Sequence, residues 1–229
     1  HPDLPDPLTV EIELYQGCVR FQRGCRFCIE PKKGVPIDRP LKSVIDEVTA
    51  ALDAGARHIR LGGATCIYTW QAEGVGELEH PRPNPEPITE LLRTLREDER
   101  LEILHVDNAN PSIIAENLEE ARVITRLLVD TLSDGAVLSF GLESADPQVH
   151  VENWLNCDSK QLHTAIDLIN KYGKERGDRG LPKLLPGLNF IAGLRGETDE
   201  SYRFNRELLE SLKNSGLWVR RINIRQVEG

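Results

Sequence analysis

Three of the five cysteines, Cys18, Cys25 and Cys28, lie close together in one short stretch. A loop that brings soft thiolates this near to one another can wrap an iron–sulfur cluster, and three cysteines leave one iron of a four-iron cluster without a protein ligand. Structural zinc prefers four protein ligands, usually as two separated pairs, so zinc and free thiols are the alternatives. The spacing therefore favours an iron–sulfur loop with one open iron, where a reaction can take place.

Length and composition favour a single cytoplasmic domain. A chain of 229 residues is long enough for one compact core. No apolar run approaches the ~18 residues of a membrane span, and no signal peptide pattern opens the chain, so we expect no membrane partner. An odd number of cysteines, three of them crowded together, fits a reducing compartment. The net charge of −9 argues against broad contact with a nucleic-acid backbone.

The ends of the sequence suggest a fragment. The chain starts at His1, contains no methionine and stops at Gly229, directly after a predicted strand. We expect residues 1–229 to form one domain of a longer protein.

Strand and helix patterns alternate along the chain. Period-two or short apolar runs predict six strands, at residues 10–15, 58–63, 101–106, 136–141, 188–192 and 218–224. Apolar stripes at helical spacing predict five helices between them, the second beginning at Pro87. Strict alternation implies parallel strands with right-handed helical crossovers, as in a doubly wound sheet or a partial barrel. Because no Gly-x-Gly-x-x-Gly turn follows the first strand, we favour an α/β fold of the partial TIM-like (β/α)6 barrel type.

Unusual residues follow each predicted strand. In a barrel of parallel strands, chemistry gathers at the carboxyl ends of the strands. The residues found there are the three cysteines, Gly62 and Gly63, Asp107 and Asn108, Glu143 and Ser144, Gly193, and Arg225. The sequence thus predicts a functional site at this pole.

Several other features allow two interpretations. The stretch 64–87 has no periodicity, and Tyr68 and Trp70 within it favour a lid over the site. Cys66 could be a second catalytic thiol, but it and Cys157 fit free buried cysteines better.

Polar residues in and around the third strand are equally open. Asp107, Asn108 and Asn110 could orient a substrate, or form an ordinary turn before a proline. His58 and His105 lie inside strands and are predicted to be packing residues. The arginines that interleave the cysteines, including Arg20, also fit a solvated face.

The cysteine loop resembles the cluster loop of radical S-adenosylmethionine (radical SAM) enzymes. That loop has the spacing C-x3-C-x2-C with an aromatic residue before the last cysteine, and Phe27 holds the aromatic place. Phe21 stands where the first cysteine is usual, so Cys18 gives the spacing C-x6-C-x2-C.

Three further motifs resemble the same family in the same order. The segment 61–64 resembles its Gly-Gly-Glu segment, with Ala64 in place of the acid; 140–144 with Asp146 and Pro147 resembles its strand-four motif; and 190–198 resembles its strand-five motif beside the adenine. Segments 105–111, 181–187 and 220–225 are most similar to archaeal radical SAM proteins that carry a further C-terminal helix-hairpin-helix region.

The resemblance implies both cofactors and an activity. Cys18, Cys25 and Cys28 would bind a [4Fe–4S] cluster whose fourth iron is chelated by S-adenosylmethionine (SAM). An electron from a reductant protein would split SAM into methionine and a 5′-deoxyadenosyl radical, which modifies an unidentified RNA or protein substrate. The residues implied in cofactor binding are Phe27, Gly62, Gly63, Glu143, Ser144, Asn189 and Gly193. Phe27 would shield the cluster, or be an ordinary core aromatic. The alternatives are a structural zinc module and an iron–sulfur electron carrier.

Overall fold

The structure, a computed structural model, describes residues 8–227. Its strands are β1 Thr9–Glu13, β2 Tyr15–Gln16, β3 Ile37–Asp38, β4 His58–Gly62, β5 Ile103–Val106, β6 Asn108–Ala109, β7 Ala136–Glu143, β8 Leu184–Ala192 and β9 Arg221–Gln226. Its α-helices are α1 Leu41–Asp53, α2 Pro85–Arg96, α3 Pro111–Glu116, α4 Leu118–Thr131, α5 Pro147–Asn153, α6 Ser159–Gly173 and α7 Asp199–Asn214.

The long strands form one curved parallel wall in two sections. One section has the order β1-β4-β5 and the other β6-β7-β8-β9, and every pairing in both is parallel. Asp107 joins them, because its N–H donates to Leu61 O at 3.1 Å and its carbonyl accepts from Ser139 N at 3.0 Å. Six strand positions with helical crossovers confirm the predicted partial TIM-like (β/α)6 arrangement.

Alternation along the strands separates an apolar outer face from a polar lumen. Ile12, Ile59 and Leu104 are fully buried against the helices. Their neighbours Glu11 and Arg60 face the other way, as successive strand residues must. The helices cover the outer face with the predicted apolar stripes. In residues 8–227 no helix is long and apolar enough to cross a membrane.

Two short helices were not predicted from the sequence. Helices α3 and α5 each begin with a proline, after Asn110 and Asp146, whose side chains accept from the N–H groups of Ser112 at 3.0 Å and Gln148 at 2.8 Å. Caps of this kind satisfy donors that a helix leaves unpaired at its start. For Asn110 the turn interpretation was therefore nearer the structure than substrate orientation.

Several predicted boundaries were wrong, most of them by one to four residues. Helix α2 begins at Pro85 rather than Pro87, since Asn84 caps it through Glu86 N at 3.1 Å. Strand β8 begins at Leu184, before Pro186 and a glycine that lower strand propensity, and β9 begins at Arg221 rather than at residue 218.

The first part of the predicted lid belongs to the core. Tyr68 and Trp70 are fully buried in the main apolar cluster. The Tyr15 hydroxyl fastens this part, at 2.8 Å from both Thr69 Oγ1 and Cys66 N. The two aromatics on which the lid prediction was based are therefore core residues, whereas residues 77–79 of the same stretch are exposed, and for them the lid stays a prediction.

Candidate functional site

The three cysteines share a loop that is closed at its base. Strands β2 and β3 pair antiparallel on either side of residues 17–36, with Tyr15 opposite Asp38. Tight turns shape the loop, including Cys28 N to Cys25 O at 3.1 Å. Because β2 directly follows β1, the loop lies at the carboxyl pole of the wall.

Arg20 contacts two of the three sulfurs. Its backbone N–H donates to Cys18 Sγ at 3.4 Å, and its Nη1 lies 3.6 Å from Cys25 Sγ. The same Nη1 donates to the carbonyl of Trp154 at 3.0 Å. Arg20 thus gathers two thiols and attaches them to the end of α5.

Helix α5 supplies the other half of this attachment. The Arg26 N–H donates to Asn153 O at 3.0 Å, and its guanidinium lies over the Trp154 ring, 4.3 Å from the centroid. Arg23 stacks on the same ring at 5.5 Å. Such contacts contribute about 0.5–2 kcal/mol each. For Arg20, which is partly buried, the solvated-face interpretation was wrong. Arg26 stays exposed while it contacts the end of a helix that the sequence pattern did not predict.

The thiols and Glu143 lie within electrostatic reach of one another. Burial raises the pKa of Cys25 to about 11; Arg20 opposes this, while Cys28, Glu143 and Cys18 add to it. Burial also raises the pKa of Cys18. Thiols with raised pKa values bind a metal only when it displaces their protons, so uptake releases protons.

The three loop thiols are one donor short of a structural zinc site, which needs four donors around one point. Among residues 8–227, no group of three or more His, Cys, Asp or Glu side chains is arranged to hold one metal ion. An iron–sulfur cluster takes one thiolate at each iron, so three thiolates suit a four-iron cluster with one open iron.

Two carboxylates flank the glycine pair at the end of β4. Gly63 N–H donates to Glu11 Oε1 at 3.1 Å. A Cβ on Gly62 would lie 2.8 Å from the Glu11 carboxyl carbon, and one on Gly63 would lie 2.9 Å from Glu13 Cγ. A larger residue at either position would displace these side chains, and Gly63 also adopts φ +66°, which favours glycine. Glu11 and Glu13 were predicted only as residues of the first strand. They alternate with the apolar residues Val10, Ile12 and Leu14, and this alternation could have indicated that both acids share the face opposite to the apolar one.

Glu143 is a strained, half-buried acid at the end of β7. It adopts φ +69° beside an irregularity in the β7–β8 pairing. Burial raises the pKa of its carboxyl to about 7, and nearby Arg225 opposes the shift. Strained backbone and perturbed acids concentrate at functional sites.

Phe27 and Gly193 connect the cysteine loop to the end of β8. Phe27 packs against a small apolar cluster that includes Val149 and Leu194. The Gly193 N–H donates to the Glu197 carboxylate at 3.1 Å. Both residues lie at the predicted pole, and their roles toward SAM stay predictions.

Ser144 and Asn189 have protein partners. Ser144 Oγ accepts from Asp146 N at 3.2 Å, and Asn189 Oδ1 accepts from Asn223 Nδ2 at 2.9 Å across to β9. Each retains further hydrogen-bonding capacity for a ligand.

The remaining cysteines lie outside this site. Cys66 and Cys157 are buried in the main cluster, as the free-cysteine interpretation predicted. Cys66 Sγ accepts from Asn110 N at 3.1 Å.

Comparison with known proteins gives relatives of three kinds. No protein-family model matches the chain. It is 38% identical to an uncharacterised protein of Methanocaldococcus jannaschii, over 99% of this chain and 42% of the relative. It is 41% identical to an uncharacterised protein of Archaeoglobus fulgidus, over 100% of this chain and 42% of the relative. It is 27% identical to the tRNA-2-methylthio-N(6)-dimethylallyladenosine synthase of Agrobacterium fabrum, over 90% of this chain and 40% of the relative. The chain spans about two fifths of the length of these relatives.

A solved structure shares the fold. Coproporphyrinogen III oxidase (HemN) of Escherichia coli, described as a radical SAM enzyme, superposes with a TM-score of 0.57 at 15% identity, over 97% of this chain and 44% of that one. The chain has the fold of this radical SAM enzyme. Its cysteine loop and strand-end motifs resemble those of the same superfamily, so the fold agrees with the class that the motifs predicted.

Replacing Arg20 tests the loop geometry. In Arg20→Gln, Cys25 loses the cation that lowers its pKa, so its thiolate fraction falls and alkylation by iodoacetamide in cluster-free protein slows several-fold near pH 8. Arg23→Gln, which removes only the more distant stack on Trp154, is the matched control. Peptide mass spectrometry reports Cys25 separately, and equal rates in both variants would contradict the contact.

Proposed function

We propose that the chain is the cluster- and SAM-binding part of a radical SAM enzyme that reductively cleaves SAM. The observation that carries this is the meeting of three loop cysteines, Glu143 and the glycine pair with its two acids at one pole of a parallel wall. A [4Fe–4S] cluster in this loop would supply one electron to the sulfonium of bound SAM, which yields methionine and a 5′-deoxyadenosyl radical that abstracts hydrogen from the substrate.

Cys18, Cys25 and Cys28 would hold the cluster, with Arg20 orienting the first two sulfurs. N–H groups and positive charge beside cluster sulfurs tune the reduction potential. A reductant protein would supply the electron, and Phe27 would keep water from this side of the loop.

The carboxylates would hold the cationic cosubstrate. Glu11 and Glu13 lie beside the glycine pair, where the family motif has the acid that Ala64 replaces, so they are our candidates to receive the SAM ammonium group. Glu143 would add a third negative charge once ionised. A hydrogen bond to a charged group contributes about 1.5–3 kcal/mol.

RNA is the substrate class that we favour. The support is the name of the Agrobacterium relative, a tRNA-modifying synthase of which this chain covers 40%. A protein substrate is the second candidate, and adding tRNA or protein to turnover assays separates the two.

Anaerobic reconstitution tests the proposal. We expect brown protein with about four irons per chain that forms 5′-deoxyadenosine from SAM and dithionite. Cys18→Ala, Cys25→Ala and Cys28→Ala should each lower product formation at least about 100-fold. Cys66→Ser, whose oxygen can still accept from Asn110 N, should retain most activity. A colourless protein with one zinc, or a cluster indifferent to SAM, would support the rival functions instead.

The Glu143 carboxyl predicts the pH dependence of SAM binding. Since its pKa is about 7, the group is mostly protonated below that pH and mostly ionised above it. The affinity of the cluster-loaded protein for cationic SAM should therefore increase from about pH 6 to about pH 8, by up to about tenfold per pH unit below the pKa. Glu143→Gln should flatten this profile, and Arg225→Gln should move its midpoint to higher pH. Equilibrium binding of SAM at each pH measures this profile. A wild-type profile as flat as that of Glu143→Gln would contradict the role of Glu143 in SAM binding.

A further inference from the structure

A second polar cavity opens at the other pole of the wall. It has a volume of about 470 Å³ and is lined by side chains from β4, β5, β7 and β9, among them Arg60, His105, Asp107, Arg220 and Arg221. Gly135 and Arg220, which precede β7 and β9, lie at its mouth. In a parallel sheet all strands start at one edge, so this mouth faces away from the cysteine loop.

Three exposed arginines line this cavity, and the acid nearest to them in the sheet besides Asp107 is Glu11, the cross-strand neighbour of Arg60. In the part of the chain that the structure describes, Arg60, Arg220 and Arg221 form no ion pair, whereas surface arginines such as Arg82 and Arg203 do. Like charges gathered in a partly enclosed lumen repel each other and attract anions. With Asp107 as the one acid among the lining side chains, the formal charge is three minus one, or +2.

Arg221 is held in place before any ligand binds. Its side chain crosses β8 and donates from Nη2 to Ser139 Oγ on β7 at 2.8 Å. A Cβ on Gly187 would lie 3.1 Å from Arg221 Cγ and 3.3 Å from its Nε. Because Gly187 has no side chain, the Arg221 side chain can pass over β8 at this position. Less side-chain entropy is lost when such a group binds a ligand.

His105 adds an unused hydrogen-bonding atom. Its Nε2 is buried and has no partner among the described residues. Burial, and then Arg60, lower the pKa of the imidazole, so the ring is neutral at pH 7 and adds no charge. Buried polar atoms without a partner are rare and need an explanation. The packing role predicted for His105 does not account for this one.

We infer that this cavity binds an oxyanion of the phosphate class through Arg60, Arg220 and Arg221. Planar guanidinium groups bind phosphate through two parallel N–H bonds, and a dianion balances the formal charge of the cavity. The volume exceeds that of a single phosphate, so the phosphoryl group of a small organic ester also fits. This site needs neither the cluster nor SAM, and its test is independent of the proposed function.

Isothermal titration calorimetry of the protein with inorganic phosphate, at ionic strength matched with chloride, tests the inference. We expect saturable binding, weakened at least tenfold in Arg60→Gln and in Arg220→Gln. Arg60→Lys should bind with intermediate affinity, because lysine keeps the positive charge but lacks the two parallel N–H groups of the guanidinium. Arg206→Gln, on the exposed face of α7, is the matched control and should stay within twofold of wild type. Circular dichroism checks that each variant is folded.

The ligands used in parallel titrations identify the source of the anion. Tighter binding of ribose 5-phosphate than of inorganic phosphate would support an ester ligand, and equal or weaker binding would support the free ion. If malonate, a dicarboxylate, binds as tightly as phosphate, the assignment to a phosphate ligand is overturned. Lack of saturable phosphate binding, or equal weakening in Arg206→Gln, would overturn the site itself.

Discussion

The contacts of Arg20 with two cysteine sulfurs and with the Trp154 carbonyl hold the cysteine loop against the carboxyl pole of the wall. The β2–β3 pair closes the base of the cysteine loop, and Arg20 is the residue that joins its sulfurs to the rest of the wall. Through Arg20, thiols that follow the first strand are fixed to a helix that follows β7. Arg26 strengthens this attachment by bonding Asn153 and stacking on Trp154. The C-x6-C spacing places Arg20 between the first two ligands, where it can contact both.

A curved parallel wall also explains why the polar groups divide between two poles. Strand ends on one side bring together thiols, glycines and acids, which suit a cationic cosubstrate. Strand starts on the other side bring together Arg60, Arg220 and Arg221, which suit an anion. The acids Glu11 and Glu13 and the arginines share one lumen, because every second strand residue points inward. The two ligands that we propose, one cationic and one anionic, therefore fall at different ends of one lumen.

The apolar periodicity of the sequence predicted the elements that are long enough to contain several repeats of the pattern. It did not predict the shorter elements. The six strand positions and the five long helices each span enough residues for an apolar pattern to be recognised. Helices α3 and α5 are too short for that, although the capping pairs Asn110-Pro111 and Asp146-Pro147 signalled both. The stretch 64–87 has no period because its buried aromatics pack individually, with Tyr15 reaching across the chain to fix them. Positions at strand ends were predictable for the same reason as the strands. Contacts such as Arg20 with Trp154 were not, since they join residues more than a hundred positions apart.

The account depends on a cluster with one iron that no protein ligand occupies. The most direct test is electron–nuclear double resonance of the reduced, reconstituted protein with SAM labelled at its amino nitrogen. We expect a strong hyperfine coupling from the label, since the nitrogen would bind the open iron. A fully assembled four-iron cluster that gives no such coupling with saturating SAM would contradict the account.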